Sequence, residues 1–120
     1  IKAEARLYYF QMAVNARKYQ HELVALCRSS PQHRHRMLEA ARPELIKCIC
    51  ECALNVLKER IQISSSQRKK LARYKAVLRK IGSRRGSIRS KKRIIVQSGG
   101  SFLLSLIPIA ISALSSLFAR

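Results

Sequence analysis

Four cysteines and three histidines are the residues best equipped for chemistry in this chain of 120 residues. Cys48, Cys50 and Cys52 alternate along one stretch, Cys27 stands apart, and His33 and His35 are again two apart. A structural zinc site needs pairs two to four residues apart on a turn, with a second pair farther on. On a helix, a spacing of two turns Cys50 away from Cys48 and Cys52 and separates His33 from His35. We expect no metal and no cofactor, and small buried thiols of a reducing compartment. A Cys–His nucleophile would lack an orienting third group. Gly82 to Gly86 lacks the Gly-Lys-Ser/Thr ending of a phosphate loop. With no catalytic constellation, the expectation is a protein that is not an enzyme.

The chemistry that does stand out is electrostatic. Between Arg60 and Arg93 lie fourteen Lys and Arg and no Asp or Glu. The whole chain carries a formal charge of +19, and all six acidic residues precede Arg60. Such a block repels itself and is relieved by a polyanion, either nucleic acid or an anionic membrane surface. Arg68, Lys69, Lys70, Arg73, Arg79, Lys80, Arg84, Arg85, Arg89, Lys91, Lys92 and Arg93 are the candidate phosphate contacts. Asn and Gln are nearly absent from the basic helix, so these contacts would position the chain on double-stranded DNA without reading bases. The alternative is a merely solvated charged face, which usually carries balancing acids.

The elements that must hold these residues read as helices throughout, and no strand alternation appears. Ala13 to Arg28 has apolar residues at helical spacing and stops at Ser29-Ser30-Pro31. Ser30 suits the cap and Pro31 the first turn of a second helix, about 32–41. Glu44 to Ile61 is the strongest helix, with Leu45, Ile49, Ala53, Val56, Leu57 and Ile61 in one stripe; it should centre a small bundle. Ser64 and Gln67 match a capping box for a helix over 65–81. On that helix Leu71, Tyr74, Leu78 and Ile81 fall within an arc of roughly 80°, opposite Arg68, Lys69, Arg73, Lys75, Arg79 and Lys80. Ser87 caps a short helix to Ile95, with Ile88 and Ile95 inward. The fold class expected is all-α: a small basic bundle of about four to five short helices plus a hydrophobic C-terminal helix.

Gly99-Gly100 opens that last segment. Ser101 to Ala119 is uncharged and nineteen residues long, near the lower limit for crossing a bilayer. Ser101, Ser105, Pro108, Ser112, Ser115, Ser116 and Ala119 share an arc of roughly 100°. Phe102, Leu103, Leu104, Leu106, Ile107, Ile109, Ile111, Leu114, Leu117 and Phe118 fill the rest. Three readings remain open: a span that packs on a copy of itself through the small residues, an interfacial helix, or a buried helix of the bundle. Ile1 is not Met, and Met12 offers a start, which marks 1–12 as a candidate non-native upstream segment. The organisation expected is then a helical region at 13–62, a basic helix and linker at 63–98, and the Gly-Gly and hydrophobic helix at 99–120.

A basic run, Gly99-Gly100 and then Ser101-Phe102-Leu103-Leu104-Ser105-Leu106-Ile107-Pro108-Ile109-Ala110 resembles the precursor of the adenoviral mu (protein X) core peptide. Ile49-Cys50-Glu51-Cys52-Ala53-Leu54-Asn55-Val56-Leu57, the Ser64-to-Leu71 cap and basic helix, and Val96-Gln97-Ser98-Gly99-Gly100 resemble proteins of adintoviruses and Polinton (Maverick) elements. The resemblance implies a virion core protein that condenses packaged DNA. It implies cleavage after Gly100 by a viral cysteine protease, with Gln97 standing where that protease prefers an apolar residue. Its partners would be double-stranded DNA, the protease and capsid proteins, and its location the virion or host nucleus. The alternative function is a membrane-active or tail-anchored protein using 101–119, with a lipid membrane as partner and self-association through the serine stripe. A helix-turn-helix regulator is a third class, distinguished by strong sequence preference.

Overall fold

The computed structural model describes the backbone of residues 3–118, and side chains as far as Ala113 except those of residues 5 and 9. Among the described residues there are eight helices and no strand. They are α1 (Ala3–Lys18), α2 (Gln20–Arg28), α3 (Pro31–Ala40), α4 (Pro43–Leu57), α5 (Ser65–Ala72), α6 (Lys75–Ile81), α7 (Ile88–Gln97) and α8 (Leu103–Phe118). Helix α4 is the hub, packing on α1, α6, α7 and α8. Leu45, Ile46, Cys48, Ile49, Cys50, Cys52 and Ala53 are all buried, so α4 is covered nearly all round. Helix α8 lies chiefly against α1 and α2.

The count exceeds the four to five helices plus one read from the sequence, because two continuous patterns are broken in space. Both breaks fall at a tyrosine. Tyr19 (φ −106°, ψ 17°) separates α1 from α2, and Tyr74 (φ −112°, ψ 17°) separates α5 from α6. These are bridge-region conformations, which rotate the following helix without abandoning the hydrogen-bond ladder. Leu23 N donates to Tyr19 O at 2.9 Å, and Leu78 N donates to Tyr74 O at 2.9 Å. Tyr19 is buried beside Lys18 and Arg42, whose cationic groups lie 5.6 and 6.0 Å from its ring centre. Helix α1 also begins at Ala3 and runs unbroken through Met12, which is itself in the core.

The caps follow side-chain chemistry. Ser30, Ser64 and Ser87 each accept a hydrogen bond from the backbone N–H three residues on. Gln67 Oε1 accepts in return from Ser64 N at 2.9 Å, closing the capping box. Helix α4 ends four residues before the expected Ile61. Glu59 takes φ 55°, Glu59 N donates to Val56 O, and Arg60 N donates to Asn55 O. That pair of bonds is a Schellman ending, with Glu59 in the left-handed place that glycine normally fills. Ile61 still reaches the core from the loop beyond.

The C-terminal segment folds back onto the bundle. Helix α8 covers 16 residues, and no helix among the described residues is long and apolar enough to cross a membrane. Phe102, Leu103, Leu106, Ile107 and Ile109 are in the core, Ile111 is half-buried, and Leu104 is exposed. Ser101, just before the helix, and Pro108 and Ser112 on it face outward with Ser105 half-buried, so the described part of the small-residue stripe lies on the outer side. The side chains of Leu114, Ser115, Ser116, Leu117 and Phe118, and all of Ala119, lie outside the described residues.

Candidate nucleic-acid interface

The cationic face is built on α5, α6 and α7 and the turn between the last two. Leu71, Leu78, Ile81 and Ile95 are buried and Tyr74 half-buried, which pins these short helices to the bundle. Helix α6 rests on α4 and α7, and α7 rests on α3, α4 and α6. With the apolar side fixed, Arg68, Lys69, Lys70, Arg73, Arg79, Lys80, Arg84, Arg85, Arg89 and Arg93 are all exposed. Lys75, which the candidate set left out, is exposed among them. Arg68 reaches one carboxylate, Glu59, at 3.8 Å. That exposed pair contributes little to stability and leaves the face strongly positive.

Lys91 and Lys92 are placed differently from the other ten. Lys91 is buried, and its Nζ donates to the Ser83 carbonyl at the end of α6. Lys92 is half-buried, and its Nζ donates to Ala41 O at 2.8 Å, just past α3. Both ammonium groups satisfy carbonyls left open at helix ends. Neither is offered to a phosphate in this structure. Arg34 does the same work between α2 and α3. It is buried, its Nε donates to Leu26 O at 2.9 Å, and one Nη donates to Ser29 O at 2.8 Å.

A ring joins the face to α1. The guanidinium carbons of Arg60 and Arg84 lie 4.5 and 5.0 Å from the Tyr8 ring centre. Each contact is of the cation–π kind. So the basic turn after α6 is held against the first helix by one aromatic side chain.

The thiols lie inside. All four cysteines are free, with Cys48, Cys50 and Cys52 buried and Cys27 half-buried. Burial pushes the Cys50 thiol up to about 11, against a smaller lowering by the Lys91 charge. A hydrogen bond with the Cys48 thiol, with burial behind it, holds Cys52 well above the usual thiol range. Burial also raises Cys27, opposed by Arg34. A thiol held protonated is a poor nucleophile and a poor metal ligand.

Gly99 and Gly100 form the turn between α7 and α8, both with positive φ (79° and 73°). Gly99 is open to solvent on its side-chain side. Gly100 is buried; a Cβ there would lie 2.7 Å from Leu38 Cδ1 and 3.1 Å from Arg34 Cδ. The two glycines therefore have a reason in the fold, apart from any role in processing. The chain matches no family model, no curated protein and no solved structure.

Proposed function

We propose that this protein binds double-stranded DNA without regard to sequence and condenses it, acting as a core component of a virion as its resemblance to the mu precursor suggests. The observation that carries the reading is a surface of eleven exposed cations on α5–α7 and the turn between α6 and α7, with no acidic residue after Glu59. Each phosphate neutralised by such a residue releases counterions, and that release drives binding. Adenine readout has little to work with. Gln67, the amide on α5, already accepts from Ser64 N; Gln97, at the last residue of α7, is the one other amide on α5, α6 or α7, and no Asn lies there. Bidentate recognition of adenine needs such an amide free.

Size and charge also match condensation. The bundle is 38 Å along its longest axis. Duplex DNA presents one phosphate charge per 1.7 Å, so that length carries roughly 22 charges. The chain's +19 nearly equals them. One molecule per helical turn would leave little net charge, the condition under which duplexes stop repelling one another.

Titration of linear duplex DNA, followed by light scattering, tests this. Scattering should rise near one protein per about ten base pairs, and log K should fall against log salt with a slope of about −5 or steeper. Retention unchanged across several hundred millimolar salt, or strong preference for one sequence in a selection, would overturn the reading.

A further inference from the structure

A groove of about 610 Å³ lies between the C-terminal end of α4 and helices α5 and α6. Its floor is apolar, formed by Leu54, Leu57, Ile63, Leu71 and Leu78. Its rim carries Lys58, Arg68, Lys75 and Arg79, with the Glu59 carboxylate drawn toward Arg68. Nucleic acid explains the rim and leaves the floor unexplained, since phosphates do not seek leucine side chains. The floor is already approached as closely as the backbone allows at Gly82, where a Cβ would lie 2.8 Å from Leu57 Cδ1.

We infer that this groove receives an acidic amphipathic helix from a partner protein. Apolar anchors at successive turns of such a helix fit a greasy trough, and its intervening carboxylates meet the cations on either side. The distribution of the rim charges selects this occupant over a single-chain anionic lipid. The four cations come from α5, from α6 and from the residue ending α4, so one headgroup could meet only part of them. A second copy of this chain is a poor occupant as well. Its six acids are scattered singly between Glu4 and Glu59, and no stretch alternates acids with apolar anchors.

The consequence for the DNA reading is competition, and this part rests on that reading. Arg68, Lys75 and Arg79 belong both to the rim and to the exposed cationic face. A helix seated in the groove removes them from the duplex. It would act as a holding partner that keeps the basic protein off nucleic acid until needed.

The test measures peptide binding first with no nucleic acid present. The probe is a fluorescein-labelled helix of roughly fifteen residues, leucine every third or fourth position and glutamate between, in about 150 mM salt. Controls are the same residues in scrambled order and oleate as a competitor. The ordered peptide should bind at least about tenfold more tightly than the scrambled one. Ala72→Trp, at an exposed groove position, should abolish that preference by filling the trough. Lys75→Glu, at an exposed position that the fold tolerates, should weaken the ordered peptide about tenfold. Arg89→Glu with Arg93→Glu, outside the groove, should leave the peptide affinity within about twofold. Equal binding of both peptides, binding unmoved by Ala72→Trp and Lys75→Glu, or saturable oleate binding without peptide binding would each overturn the inference. Groove binding that holds while duplex DNA binds without displacing the peptide would overturn the competition, whereas groove binding with no duplex binding at all would count against the DNA reading alone.

Discussion

The seam between α3 and α7 and the outer face of α5–α6 carry the same residue types and use them in opposite ways. Lys92 donates across that seam to Ala41 O, and beside it Arg34 and Lys91 turn inward onto carbonyls at the end of α2 and in the turn after α6. On the outer face, Lys69, Lys70, Arg73, Lys75 and Lys80 stand in water. A cation on a backbone carbonyl is structural, and removing it leaves a desolvated acceptor without a donor. A cation in water adds little to folding and is free to meet a phosphate. Of the formal +19, the charges of Arg34, Lys91 and Lys92 enter the net balance with a polyanion without serving as phosphate contacts.

The comparison breaks most sharply under charge reversal. Changing Lys69, Arg73, Lys80 and Arg85 to Glu should cost at least about a thousandfold in duplex affinity near 100 mM salt. The melting temperature should hold or rise, because self-repulsion falls; a collapse of the fold would show that the outer face is structural after all. Arg34→Ala makes the reciprocal case. It should cost about 2–4 kcal/mol in denaturant unfolding while the salt slope of DNA binding stays put.

A smaller effect reports on the seam through pH. Cys50 sits near Lys91, and its thiol is raised from about 9 to about 11. The unfolded chain releases this proton first, so the contribution is complete below about pH 9 and is lost as pH rises toward 11. The difference in stability between the wild-type chain and Cys50→Ala should shift by about 2 kcal/mol across that window. A flat difference would mean that the thiol is not held in the core. The finest discrimination comes from neighbours on α7. Arg89→Met should reduce the salt slope by about one, whereas Lys91→Met should leave it unchanged.

Much of this arrangement is legible in the residues. The four inward positions of the basic helix and its six outward cations lie where a helical wheel puts them, even though the helix bends at Tyr74. Caps at Ser30, Ser64 and Ser87 follow from local hydrogen bonding, which neighbouring residues decide. The bends at Tyr19 and Tyr74 carry no such signal. Neither has a proline or glycine, and tertiary packing imposes them. The same holds for the ending of α4 at Leu57, where glutamate adopts the conformation glycine would announce. The role of Lys91 did have a trace. Ile88, Lys91 and Ile95 are three and four apart, so the lysine falls on the inward side of its helix. Its charge obscured that spacing. The groove has none, because it exists only where the end of α4 meets α5 and α6 in space.

The wedge at Gly100 has a kinetic corollary. A protease draws its substrate into an extended strand, yet here the peptide bond after Gly100 sits in a tight turn pressed on Leu38 and Arg34. Cutting at that bond must wait for α8 to lift away from the bundle. Digestion there would then run as a clock for that opening, slow in the intact molecule and quickening with any change that loosens the last helix.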